Sequence, residues 1–176
     1  GNYNGVQTNV TYPVGKFDLG GSFNGSSSYI EIDSPISNAL NHTFSLWVNL
    51  SSIVASSIIF FAGDENLRVN SDGSIKFRRY SVPNAYDIDS NPLNIGQWYH
   101  IVCSFSTSSG MSMYINGSFV GSNTYTGGTD SNPSKYSFAV RSDNFSGYNN
   151  CKLDQVRIFT KALSAGDVPP LYNETA

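Results

Sequence analysis

The sequence predicts an all-β protein, a sandwich of two antiparallel sheets, and three observations carry that prediction. Charged residues make up 13% of the chain and aromatic residues 14%, with abundant Gly, Ser and Asn, a balance that favours short strands joined by many turns. Strand-like segments recur roughly every 8 to 15 residues, the spacing of a sandwich. The pairs Asp72-Gly73 and Asn116-Gly117 stand between such segments and supply the positive φ angles of tight two-residue hairpin turns. At 176 residues the chain is expected to form one domain, 1–176, burying roughly two thirds of its unfolded surface.

Taken in order, KFDLGGSF (16–23) reads as a strand leading into a turn at Asn24-Gly25. SYIEID (28–33) alternates strictly, so Ile30 and Ile32 face a core while Tyr29, Glu31 and Asp33 face outward, and Pro35 ends the strand. FSLWVNL (44–50) sends Phe44, Leu46, Val48 and Leu50 to one side and Trp47 to the other. The continuous apolar run SIIFFA (57–62) reads as an inner strand. NLRVN and SIKFRRY form the first hairpin, MSMYI and SFVGS the second. Between them, GQWYHIVCSF (96–105) puts Ile101, Cys103 and Phe105 on one face, which makes Cys103 a small core residue. NTYTGGTDSNPS (123–134) reads as a loop, and KYSFAV (135–140) and KLDQVRIF (152–159) complete about a dozen strands. Ser164 with Asp167 has the spacing of a capping box, and Pro169 and Pro170 limit the helix it starts to one turn.

Composition excludes several functions. The net charge is -3, the pI is about 5.1, and the basic residues form no tract beyond Lys76, Arg78 and Arg79, which argues against nucleic acid or an anionic membrane as partner. No stretch approaches the roughly 20 apolar residues of a membrane span, so a soluble protein is expected. Lacking an initiating Met and a signal peptide, the chain reads as a processed form or an excised segment. Cys103 and Cys151 make no disulfide framework, and are either free thiols or one incidental bridge. With His42 and His100 in strand-like contexts they do not suggest zinc. Glycosylation sequons stand at Asn9, Asn24, Asn41, Asn49, Asn116, Asn144 and Asn173, in a chain rich enough in Asn, Ser and Thr for many to arise by chance.

The EID at 31–33 resembles the opening of the Glu-x-Asp-x-Glu or Glu-x-Asp-x-x-Glu signature of jelly-roll glucanases, but Pro35 and Ile36 stand where the next acid would be. A retaining glycosidase needs two carboxyl groups about 5 to 5.5 Å apart. Glu31, Glu65 and Glu174 are the only glutamates, and Asp33, two residues along, tunes Glu31 rather than supplying the far side of a scissile bond. No catalytic residue is assigned.

GKF (15–17), SFNGSSSYIEI (22–32), FSLWVNL, NIGQWYHIVCSF (94–105), MYINGSFVGS (113–122) and KLDQVRIFTKALSAGDVPPLYNE (152–174) resemble, in that order, the laminin-G-like jelly-roll domains of the concanavalin-A-like lectin/glucanase superfamily. The wording is similar to versions in bacterial surface proteins and in structural proteins of phages and other viruses. The resemblance implies a jelly-roll β-sandwich with one short C-terminal helical turn. It also implies non-catalytic recognition of a glycan or protein ligand at a loop rim, on an extracellular or cell-surface protein or a virion. The alternative is a structural virion part, a capsid-decorating or tail-fibre domain; a glycoside hydrolase ranks below both.

Such domains hold calcium at one rim, and the matching positions here are Asp64, Glu65, Asp143 and Asn144; a second, structural site is suggested by Asn24 and Asp154. The alternative is that these are solvated loop acids, or, at Asp154, a turn-stabilising side chain. For a sugar, an aromatic platform beside polar loop residues is needed, and Tyr80, Tyr86, Tyr125, Phe145 and Tyr148 lie in or beside expected loops. Each is otherwise a partly buried sandwich residue.

Overall fold

The computed structural model describes residues 5–33, 40–129 and 134–175. Strands follow in the order β1 (Val6–Thr8), β2 (Gly21–Asn24), β3 (Tyr29–Asp33), β4 (His42–Leu50), β5 (Ile58–Ala62), β6 (Glu65–Val69), β7 (Ser74–Ser81), β8 (Asn84–Pro92), β9 (Trp98–Ser106), β10 (Gly110–Ile115), β11 (Ser118–Asn123), β12 (Lys135–Phe138) and β13 (Asn150–Phe159). A 3₁₀ turn (Ala165–Asp167) and the helix α1 (Val168–Tyr172) close the chain. A seven-stranded antiparallel sheet, β1-β3-β12-β5-β6-β7-β8, packs on a six-stranded one, β11-β10-β9-β4-β13-β2. The fold is the jelly-roll sandwich. Among the described residues no helix is long and apolar enough to cross a membrane. The stop expected at Pro35 and the part of the 123–134 loop at 130–133 lie outside the described residues.

Alternation places the core as expected. Phe44, Leu46, Val48 and Leu50 of β4 and Ile101, Cys103 and Phe105 of β9 meet Phe60, Leu67, Ile75, Phe77 and Tyr136 of the other sheet. Trp47 points outward, where Phe17 meets it edge-on at 5.9 Å and Tyr172 stacks on it at 5.7 Å. The outer face of the six-stranded sheet is thus covered by the chain's own end: Val168 joins Val102 and Tyr114 in a buried cluster, and Thr43 Oγ1 accepts from Leu163 N–H while donating to the Lys161 carbonyl.

Cys103 and Cys151 are free and buried, and burial pushes both thiols up. Cys103 pairs with Phe44 and Cys151 with Leu50 on the shared neighbour β4, so six residues, about 20 Å, separate them along the strand. No bridge can span that. Neither thiol is expected to react with a thiol reagent in the native protein, and both in denaturant; fast native labelling would contradict the packing.

Several expectations are corrected. The 16–23 segment is a strand only from Gly21, because Asp154 Oδ2 accepts the N–H groups of Lys16 and Phe17 at 2.9 Å each and folds residues 15–18 into a turn. The Asp72-Gly73 turn is a three-residue loop, not two: Asn70 pairs with Ser74, and only Gly73 has positive φ. Asn116-Gly117 is the tight two-residue turn expected, with φ of 51° and 79°. β8 is an edge strand where polar, Pro-bounded NAYDIDSNP suggests none. Ser164 N–H and Oγ–H both donate to Asp167 Oδ2, but Pro169 and Pro170 sit in the first turn of α1, where no N–H is needed, and open that helix rather than end it.

Charge is buried in the core. Glu65 Oε1 lies 2.7 Å from His42 Nε2, Arg79 Nη1 pairs with Glu65 Oε2, and all three side chains are sealed from solvent. The Arg79 guanidinium rests on the Phe105 ring, Cζ 3.5 Å from the centroid, and Nη2 donates to the Gly127 carbonyl at 3.3 Å. Burial lowers the Arg79 pKa to about 10, so it stays charged at neutral pH. Burial also lowers the His42 pKa, to about 4.

Candidate functional site

On the seven-stranded sheet, the residues that do not face the core form an outer face: Tyr29 and Glu31 of β3, Phe61 of β5, Asn66 and Arg68 of β6, Lys76, Arg78 and Tyr80 of β7, Asp87 and Asp89 of β8. Lys76 and Arg78 clasp Asp87, and Lys76 and Asn70 hold Asp89. Burial alone would raise the Asp87 pKa, but the hydrogen bonds from Arg78 and Lys76 outweigh it and hold the carboxyl below its ordinary value.

The loop from Arg141 to Tyr148 crosses this face. Backbone hydrogen bonds in both directions between Arg141 and Ser146 close it, at 2.9 and 3.3 Å. Within it, Arg141 Nε and Nη2 grip Asp143 Oδ1 and Oδ2 at 2.8 Å each. Three contacts pin it to the sheet: Phe145 packs on Tyr29 at 5.4 Å, Arg141 lies over the Phe61 ring at 5.6 Å, and the Gly147 carbonyl accepts from Ile58 N–H at 2.8 Å. Gly147 has φ 62°, and a Cβ there would meet the Ser56 carbonyl at 3.0 Å, so the loop's exit requires glycine.

The crossing divides the face into two clefts that share Phe61 and Arg141. The first, of about 460 Å³, is lined also by Glu31, Gly63, Asp64, Ser134, Lys135, Ser142 and Asp143. The second, of about 360 Å³, is lined also by Ala55, Ser56, Ile58, Asn66, Arg68, Ser146 and Gly147. Burial, with Arg78 close by, draws the Arg68 pKa down from its ordinary value.

Asp64 and Asp143, far apart in sequence, do share the first cleft, with Glu31 beside them. Asn144 is exposed and its Oδ1 accepts from Ser146 Oγ. Glu65 is a correction: adjacent strand residues point to opposite faces, so it enters the core and its carboxylate is taken by His42 and Arg79. Among the described residues no three His, Cys, Asp or Glu side chains converge as metal ligands. Arg141 pairs with the Asp143 carboxylate, and Lys135 approaches Glu31 at 3.5 Å. Asn24 and Asp154 do not meet: Asn24 pairs with Asn150 and caps its own turn by accepting from the N–H groups of Ser26, Ser27 and Ser28, while Asp154 binds the 15–18 turn and Gln155 N–H.

Of the five aromatics, Phe145 is exposed at the loop crest and Tyr148 is half-buried behind it. Tyr80 sits on the outer face, and its N–H donates to the Asp64 carbonyl. Tyr86 and Tyr125 stack face to face at 3.6 Å, away from the clefts, where they and Gly127 close the core over Arg79. The ring that floors both clefts is Phe61, which sequence reasoning assigned to an inner strand. Inside an unbroken apolar run, with a bulge between Ile58 and Phe60, period-2 reading cannot separate its faces. Arg68 and Asn66 were missed because nothing local distinguishes them; Arg141 lies in the segment that drew attention to Asp143.

A laminin-G-type family model, described as the concanavalin A-like lectin/glucanases superfamily, matches residues 24–169. No curated protein sequence matches the chain. Domain 4 of AbnA, a GH43 extracellular arabinanase from Geobacillus stearothermophilus solved with arabinotriose, superposes with TM-score 0.80 at 22% identity, covering 98% of this chain and 90% of that one. The binding domain of Paraclostridial Mosquitocidal Protein 1 gives TM-score 0.81 at 21% identity over 98% of this chain and 47% of that one. The binding domain of botulinum neurotoxin DC in complex with rat synaptotagmin II gives 0.78 at 14% over 98% and 46%. The chain spans about half the length of these toxin domains, and at such identities the likeness is one of fold.

Proposed function

From a chain that belongs to the concanavalin A-like lectin/glucanase superfamily, we propose a non-catalytic recognition module that binds a glycan on the outer face of the seven-stranded sheet, beneath the 141–148 loop. One observation carries this reading: the chain's own C-terminal segment covers the outer face of one sheet, while the other keeps two clefts with an aromatic floor and polar walls. Phe61, itself almost fully buried beneath Arg141, gives the cleft an apolar floor, and Glu31, Asp64, Lys135 and Ser142 offer acceptors and donors to a sugar's hydroxyls. Because Arg141 and Asp143 brace the loop, little ordering entropy is lost on binding. Support comes from the arabinotriose bound by the arabinanase domain and from the toxin binding domains, whose ligands include gangliosides and a protein. An extracellular, cell-surface or virion setting fits such a module.

Glu31 and Asp143, each beside a cation, serve here as hydroxyl acceptors rather than as a catalytic pair. A glycan array run with calcium and then with chelator tests the proposal, using Ser142→Trp to fill the first cleft without touching the core. Binding by the native protein that Ser142→Trp abolishes at unchanged melting temperature is expected. Retention by Ser142→Trp would refute the site, and no glycan bound in either condition would favour the structural virion part. Calcium joins the proposal only if the chelator removes the binding.

A further inference from the structure

The second cleft carries a feature the first does not. Arg68 forms none of the ion pairs or side-chain hydrogen bonds among the described residues, although every other cation on this face is engaged: Lys76 and Arg78 by Asp87, Arg141 by Asp143, Lys135 by Glu31. The acids in reach are taken, since Asp87 and Asp89 are held by Lys76, Arg78 and Asn70. Beside it on β6, Asn66 Oδ1 is sealed from solvent and has no hydrogen-bond partner. The half-buried Arg68 guanidinium is open to the cavity, while the sealed Asn66 Oδ1 is out of a ligand's reach, so of that amide only Nδ2, which also lacks a hydrogen-bond partner, can meet one.

Both groups are donors, and that selects the ligand. Arg68 needs an acceptor, best a planar carboxylate that matches its fork. Asn66 Nδ2 is a second donor on the same wall, able to meet the same carboxylate. Ile58 and Phe61 give the same cavity an apolar wall, and its volume of about 360 Å³ suits one small ring. We propose that the second cleft takes an acidic sugar, its carboxylate held by Arg68 and Asn66 Nδ2. This rests on the glycan reading of the same face and names the class of sugar.

The test follows the arginine Nε–Hε resonances of ¹⁵N-labelled protein during separate titrations with sodium glucuronate, sodium N-acetylneuraminate, glucose, and sodium chloride at matched ionic strength. The Arg68 resonance, assigned by its loss in Arg68→Gln, is expected to move saturably with at least one acidic sugar and with neither glucose nor chloride. Movement of equal size with chloride, or none with either acidic sugar, overturns the proposal. In a second arm, an acidic oligosaccharide is expected to bind about tenfold or more tightly than its neutral counterpart, and Arg68→Gln to erase that margin. Equal binding of the two, unchanged in Arg68→Gln, would sink the acidic-sugar assignment while leaving the glycan reading intact. Saturation at Arg68 alongside loss of the first-cleft site would do the reverse.

Discussion

Arg79→Ala is expected to destabilise the protein by about 3–5 kcal/mol, because it strands the Glu65 carboxylate in the core with only His42 as partner. For a chain of this size that is a fall in melting temperature of roughly 6–20 °C. Three further contacts go with the side chain: the face of Phe105, the Gly127 carbonyl, and through it the closure of the 123–129 loop over the core. The cost comes from the orphaned charge rather than from the net worth of the pair, so replacing the whole group is expected to cost less. His42→Phe, Glu65→Leu and Arg79→Met together should unfold later than Arg79→Ala alone, as buried ion clusters often give way to apolar ones without loss. Urea unfolding of both variants decides; a single-variant loss under 1 kcal/mol, far below the roughly 3 kcal/mol of a broken buried pair, would contradict the buried-charge account.

Asp154→Ala is expected to cost about 2–4 kcal/mol while leaving ligand binding untouched. Its carboxylate accepts three backbone N–H groups, from Lys16, Phe17 and Gln155, and charge-assisted bonds of this kind are among the stronger ones. Without it, the 15–18 turn loses its anchor, Phe17 and Lys16 leave the Trp47 ring, and the bulge in β13 loses the bond that supports Gln155 at φ 46°. Gly15 belongs to the same arrangement: a Cβ there would stand 2.5 Å from Asp154 Oδ2, so Gly15→Ala should reproduce part of the effect. All of this lies on the six-stranded sheet. A parallel loss of stability and glycan binding in Asp154→Ala would therefore place the site on the wrong sheet.

The sandwich was legible because its signals are local. Phe44, Leu46, Val48 and Leu50 alternate in a strand with one buried face, and Asn116-Gly117 allows few turns other than the one it makes. What depends on partners distant in sequence was not legible. Nothing near Glu65 announces that Arg79 and His42 will meet it in the core, so it reads as a rim acid like Asp64. The strand at 84–92 escaped because an edge strand needs only one neighbour and tolerates the polar, Pro-ended composition of a loop. Of the site, the resemblance to laminin-G-like domains named Asp64 and Asp143, and the two line one cleft. Phe61, Arg68 and Asn66 were hidden because which face they occupy follows from the bulge in β5 and the path of the loop above it.

The most direct test of the central claim maps amide chemical shifts while a glycan found on the array is titrated into the protein. Shifts concentrated at Phe61, Gly63, Asp64 and residues 141–147, spreading to Asn66 and Arg68 for an acidic sugar, are the predicted result. Shifts concentrated instead around Trp47 and Tyr172, on the face that the C-terminal segment covers, would contradict it.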